Sequence, residues 1–222
     1  VTIDMGDAGT VGLWNGAGGA GLPKYYDMMP TAGEQVWDDS DTDDNGIATH
    51  AIGNMLGYNG TFGGLGISLA YTNGGASGVG GVASDSSWVI TYDGLMDGLS
   101  VGVGMGENGT TQDLSTAWLK YTAGSITAGF QKSEVDNTGS TADEDATALA
   151  VSIAVNENLS ISAGKHDVDM GAGKVDEEST GVSASYTVGS STIGFVANST
   201  DNVAGTAGTD DSYRELSVSF AF

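Results

Sequence analysis

Cysteine is absent from the 222 residues, which excludes disulfides and thiolate metal sites together. Proline is nearly absent as well, with 2 residues against 37 glycines and no G-X-Y period, so collagen and Pro-rich disorder are both excluded. Basic residues are the third shortage. Lys and Arg number 6 against 29 Asp and Glu, for a formal charge of −23 and a pI near 4.1. Nothing here can neutralise a phosphate backbone, and nucleic acid is excluded as a partner. Charged residues of both signs reach only 16% and hydrophobic ones 39%, below the roughly 25% and 45–50% of ordinary soluble domains. Long apolar runs are missing too: the longest uncharged stretch, Asn45 to Ser84, is broken throughout by Gly, Asn, Ser and Thr, so no transmembrane helix is expected. Val1-Thr2-Ile3-Asp4 carries neither an initiator Met nor the basic, then apolar, regions of a signal peptide. The chain is expected to start after a removed leader or partway through a longer one.

What the sequence does have is alternation with period 2. Leu149, Val151, Ile153 and Val155 interleave with Ala148, Ala150, Ser152 and Ala154, and the same pattern recurs from Leu65 to Phe222. Such alternation builds strands with two unlike faces. With early strands over Val1 to Met5, Thr10 to Asn15 and His50 to Tyr58, about thirteen strands are expected. The connections alternate in kind. Short turns at 7–9, 59–64, 94–98, 124–125, 156–158 and 189–191 contrast with longer links at 17–46, 73–85, 106–113, 136–145, 167–179 and 200–212. Acid gathers in the longer set, as in Asp143-Glu144-Asp145 and Asp176-Glu177-Glu178.

A soluble β-sandwich gives the same alternation strand by strand. Three features favour a barrel that crosses a membrane. The residues opposite the aliphatic ones are mostly Gly, Ala, Ser and Thr, too small to fill an interior, so the enclosed side is wet or plugged by a loop. Aromatics gather at strand ends: Tyr58, Tyr92, Tyr121, Tyr186 and Phe222 toward the short turns, Tyr71, Trp88 and Tyr213 toward the long links. An up-and-down meander with long links on one rim is the outer-membrane arrangement, whereas sandwiches mix Greek-key crossings. The fold class expected is all-β, a transmembrane antiparallel up-and-down β-barrel.

Two stretches carry a family resemblance. The closing segment Tyr213 to Phe222 alternates and ends in Phe, and Val1 to Gly16 forms a hairpin placed just before the longest link. In both respects the chain resembles the trimeric general-diffusion porins of Gram-negative bacteria, in particular those of alphaproteobacteria. The resemblance implies an outer-membrane homotrimer in contact with lipid or lipopolysaccharide. It implies a water-filled channel for passive diffusion of ions and small hydrophilic solutes, and no enzymatic activity. It makes Ala17 to Gly46 the loop that folds inward as a constriction, and Phe222 the membrane-insertion signal. In that family the loop follows the fifth strand and here it follows the second, so three strands are expected before Val1. Three and about thirteen give about sixteen, a number that leaves an aqueous channel. Residues 1–222 then form a single barrel domain, partial at its N-terminus.

Asp27, Glu34, Asp38 and Asp39 are the expected negative lip of the constriction, with Lys24 and Lys120 as its basic residues. A negative lip raises the local cation concentration, so a cation preference is expected. The family's opposing wall is arginine-rich, yet Arg214 is the single arginine. Parity puts it outward with Lys132 and Lys165, within reach of lipid phosphates, and leaves Lys120 inward. Asp41, Asp43, Asn45 and Gly46 match the first half of an EF-hand loop, but Ile52 stands where its bidentate Glu belongs. A looser Ca²⁺ site at Asp41, Asp43 and Asn45 is the one candidate metal centre, and no cofactor is required. His50 and His166 read as rim or lumen residues. Trp14 and Trp118 read as inward, for packing or for stacking on sugars. The alternative function is an acidic Gly-rich secreted or cell-surface calcium-binding β protein, although the G-G-x-G-x-D nonapeptide repeat is absent.

Overall fold

A computed structural model describes residues 1–15, 18–35, 37, 47, 54–74, 83–139, 142–171 and 173–221. Asp38, Asp39, Asp41, Asp43, Asn45, His50 and Phe222 lie outside the described residues. The alternating segments form β1 (Thr2–Asp4), β2 (Thr10–Trp14), β3 (Met55–Phe62), β4 (Leu65–Thr72), β5 (Asp85–Tyr92), β6 (Leu99–Asn108) and β7 (Gln112–Ala123). They continue as β8 (Ile126–Asn137), β9 (Glu144–Ala154), β10 (Leu159–Asp169), β11 (Glu177–Val188), β12 (Ser191–Asp201) and β13 (Asp211–Phe220). All 13 lie in one sheet in chain order, each antiparallel to the next, as the meander required. The chain divides into two compact units, the first of Val1–Asp27, Asn45–Leu119 and Lys132–Glu144, the second of Met28–Asp44, Lys120–Gln131 and Asp145–Phe222.

The strands run further than the apolar pattern indicated. β3 starts at Met55 and continues through Asn59 to Phe62, so its reversal takes only Gly63 and Gly64, both at positive φ (58° and 88°). The expected link over 106–113 shrinks to residues 109–111, because β6 includes Glu107 and β7 includes Asp113. The physical reason is that ladder hydrogen bonds join backbone groups, and pairing continues after the side chains have turned polar. Much of the acid assigned to the long links therefore sits on strand ends.

The two faces differ as expected. Leu56, Leu69, Val103, Leu119, Leu149, Val151, Val182, Phe195 and Leu216 stand exposed on one side. Ser68, Val89, Thr116, Ser133, Ala148, Ser183 and Asn198 are buried on the other. The exposed side, here called outward, is an apolar band suited to lipid, with Tyr71, Tyr121 and Tyr186 toward strand ends on it, while Trp88, expected near a rim, sits mid-strand opposite Leu69. Tyr213 departs from the expected girdle. It pairs with buried Asn198 and so belongs to the inward face, where its hydroxyl donates to Glu215.

Burial on the inward face comes from the long link after β2. In the first unit Leu22 and Ile47 pack with Val89, Leu114 and Val135, and Ala20 packs with Met55, Ala70 and Trp14. In the second unit Met29 and Trp37 pack on Ala148 and Ala150. The wall's glycines are the seats. A Cβ at Gly57 would fall 2.5 Å from Ala20 Cβ, one at Gly104 would fall 2.8 Å from Leu22 Cδ2, and one at Gly129 would fall 2.6 Å from Pro30 Cδ.

Candidate functional site

A loop lying against a sheet must find partners for its backbone groups, since buried orphans are costly. The inward face supplies them from short polar side chains. In the first unit Gly21 N donates to Ser68 Oγ (2.8 Å), Leu22 N donates to Ser87 Oγ (3.1 Å), and Asn59 Nδ2 donates to Gly19 O (2.9 Å). In the second unit Met28 N donates to Gln131 Oε1 (2.8 Å), Ala32 N to Ser162 Oγ (2.9 Å), and Asn198 Nδ2 to Gln35 O (2.9 Å). Thr31 Oγ1 lies 3.2 Å from Ser183 Oγ. Each unit thus holds its stretch of the loop flat against its own part of the inward face. Gly21 is the tightest point, with φ of 64° and Ala70 Cβ 2.5 Å from where its own Cβ would be. Gly21→Val is expected to release this part of the loop, read as faster limited proteolysis within residues 18–35 with the strands still folded.

Lys24 ends a short 3₁₀ turn, Leu22–Lys24, opened by Pro23 in its first positions. Its Nζ donates to Asn59 Oδ1 at 3.0 Å and lies 5.5 Å from the Tyr25 ring centre. Partial burial moves the Lys24 pKa down from its ordinary 10.5, and burial, then the Asp93 charge, moves Tyr25 up. Asp27 and Glu34 are half-buried in the same link, each with partners of its own. Lys120 shares the parity of buried Leu114, Thr116 and Trp118 and is half-buried, inward as expected. Asp38 and Asp39, the rest of the expected lip, and Asp41, Asp43 and Asn45, the candidate calcium ligands, lie outside the described residues. Among the described residues no group of His, Asp and Glu could hold a metal ion.

The tryptophans are used for packing. Trp14 lies on Ala20, Met55 and Ala70, and Trp118 occupies the space above Gly102. His166 is 2% exposed on the inward face and meets the Trp37 ring at 4.6 Å between centroids, tilted by 43°.

Charge divides between the faces. On the strands the inward parity carries Asp85, Glu144, Glu177, Asp211 and Glu215 against Lys120. Two of the outward bases, Lys132 and Lys165, are compensated locally. Lys132 pairs with Glu134 at 2.5 Å, and Lys165 with Asp167 at 2.8 Å and Glu178 at 3.2 Å. Lys132 and Lys165 therefore reach the lipid side already paired.

The family model for Gram-negative porins matches residues 2–222. The chain belongs to the Gram-negative porin family. Its place is the bacterial outer membrane. Solved porins share its fold at low identity. The anion-selective porin from Comamonas acidovorans superposes with a TM-score of 0.74 at 16% identity, covering 98% of this chain and 75% of that one. A porin refined at 1.8 Å gives 0.71 at 16% identity over 98% of this chain and 79% of that one. OmpT of Vibrio cholerae gives 0.67 at 14% identity, with 96% and 76% covered. No curated protein matches the sequence.

The porin's loop anchors were not singled out from the sequence. Ser68, Ser87, Ser162 and Ser183 look like any small residue on that face. Gln131 and Asn198 did carry a signal, since an amide at an inward position beside Ala and Gly can only be useful if something on that side needs a hydrogen bond.

Proposed function

We propose that this porin forms a water-filled channel for passive diffusion of ions and small hydrophilic solutes, narrowed by residues 17–46 as an infolded loop and preferring cations. The observation that carries the reading is the hydrogen bonding of loop backbone to inward side chains from Ser68 to Asn198, on a sheet whose other face is apolar. A loop fixed in that way narrows a passage and leaves it open. Passage alone makes and breaks no bond, and no catalytic grouping is needed.

The anion selectivity named for the Comamonas porin is no guide at 16% identity, because selectivity follows charge placement and the fold permits either sign. Here the inward acids outweigh Lys24 and Lys120, and Asp27, Glu34, Asp38 and Asp39 are the residues assigned the preference. The homotrimer and the insertion role of Phe222 rest on family likeness; native mass measurement reads the first, and deletion of Phe222 with loss of assembly reads the second. The channel itself is tested in planar bilayers. Stepwise ohmic currents that scale with bulk electrolyte conductivity are expected. Bilayers that stay sealed with folded protein present would overturn the reading.

A further inference from the structure

A polar cavity of about 370 Å³ lies in the first unit, lined by Asp7, Lys24, Tyr25, Asn59, Thr61 and Thr91. That volume is of the order of small-ligand sites, which begin at about 300 Å³. Its charged groups are opposite in sign. Among the described residues, neither Lys24 nor Asp7 has an ion-pair partner, and they do not pair with each other.

The Lys24 ammonium is held in place before any solute arrives, and the backbone that carries Asp7 is fixed. Lys24 Nζ rests on Asn59 Oδ1, and that oxygen also accepts from Ser68 Oγ at 2.7 Å while Asn59 Nδ2 donates to Gly19 O. Asp7 rides a turn closed by Met5 N on Gly9 O (2.9 Å) and Gly6 N on Asp4 Oδ1 (2.8 Å). Tyr58 ties that turn to β3 by donating to Ala8 O at 2.8 Å. Gly9, at φ 89°, leaves no room for a side chain, since a Cβ there would meet Gly60 Cα at 2.9 Å. A fixed ammonium and a carboxylate on a fixed turn lose little freedom on binding, which favours a weak but specific stop.

A simple anion entering this cavity gains from Lys24 and loses to Asp7, and a simple cation does the reverse. A neutral sugar uses the amide and hydroxyls and leaves both charges idle. We propose that the cavity is a transit site for small zwitterions, amino acids and short peptides, whose carboxylate meets Lys24 and whose ammonium meets Asp7, with Asn59, Thr61 and Thr91 taking polar groups between.

The site rests on the channel reading, and the test separates the two. Proteoliposomes carrying the full chain are swollen with glycylglycine or with arabinose, a neutral solute of similar size. Arabinose uptake reports the channel alone. Glycylglycine is expected to enter about threefold faster than arabinose, the size of preference that solvent-exposed ion pairs give. Asp7→Asn should bring that ratio near unity with arabinose uptake unchanged, and Lys24→Gln should bring it near unity at whatever arabinose rate that variant shows. The exchange Lys24→Asp with Asp7→Lys should restore it. Equal rates for both solutes in the parent, or a preference that survives both single changes, would overturn the site while leaving the channel standing. Liposomes impermeable to arabinose would overturn the channel itself.

Discussion

Arginine at Val151 should leave the porin largely unassembled in membranes. Val151 lies mid-strand on β9, 36% exposed on the apolar face between Leu149 and Ile153, and opposite Ala163 of β10. A cation there must sit in hydrocarbon, at a cost of about 2–4 kcal/mol near the midplane. That amounts to a loss of about 30- to 1,000-fold in the folded to unfolded ratio. Ser185→Arg is the control. Ser185 pairs with Ser160 and Gly194 and points the other way, toward the polar side, so its variant should assemble like the parent. Heat-modifiable migration after refolding into liposomes reads both. Equal assembly of the Val151 and Ser185 variants would mean that the faces have been assigned the wrong way round.

The second large effect is on selectivity. Asp27→Asn, Glu34→Gln, Asp38→Asn and Asp39→Asn together remove the acid that the loop brings to the proposed constriction. The zero-current potential in a salt gradient should move toward the anion side, with the cation to anion permeability ratio falling by about three- to tenfold. The shift should shrink with added salt, because the Debye length falls from about 8 Å at physiological ionic strength to about 3 Å at 1 M. Conductance at high salt should change little, since the substitutions are close in size. Selectivity untouched at low salt would place these acids away from the ion path. The inward strand acids Asp85, Glu144 and Glu215 would then be next to test.

Most of the fold was legible because a membrane barrel repeats one simple rule. Leu149, Val151 and Ile153 had to share a face, and the outward placement of Lys132, Lys165 and Arg214 followed from the same parity. Strand ends were less legible. Hydropathy marks where lipid ends, and the ladder through Glu107, Asp113 and Glu177 continues on backbone pairing alone. Tyr213 was misplaced because its position near the rim suggested a girdle residue, while its register with Asn198 fixes it inward. The site was legible only as an outline. The small residues there left the enclosed side either wet or plugged, and the infolded loop came from the family resemblance. Which serine accepts which amide depends on a three-dimensional path that Ser68 or Ser162 cannot announce. The glycines were read as composition, and several prove to be seats, with Gly104 under Leu22 and Gly129 under Pro30.

The most direct measurement uses the absence of native cysteine, which makes any introduced thiol unique. Lys24→Cys on the loop and Leu69→Cys on the outward face, 44% exposed, are each reconstituted and treated with a charged, membrane-impermeant methanethiosulfonate while current is recorded. The expected result is fast modification of Lys24→Cys with a stepwise change in current, and no reaction of Leu69→Cys, which lipid covers. A reactive Leu69→Cys beside an inert Lys24→Cys would contradict a loop folded into a water-filled channel.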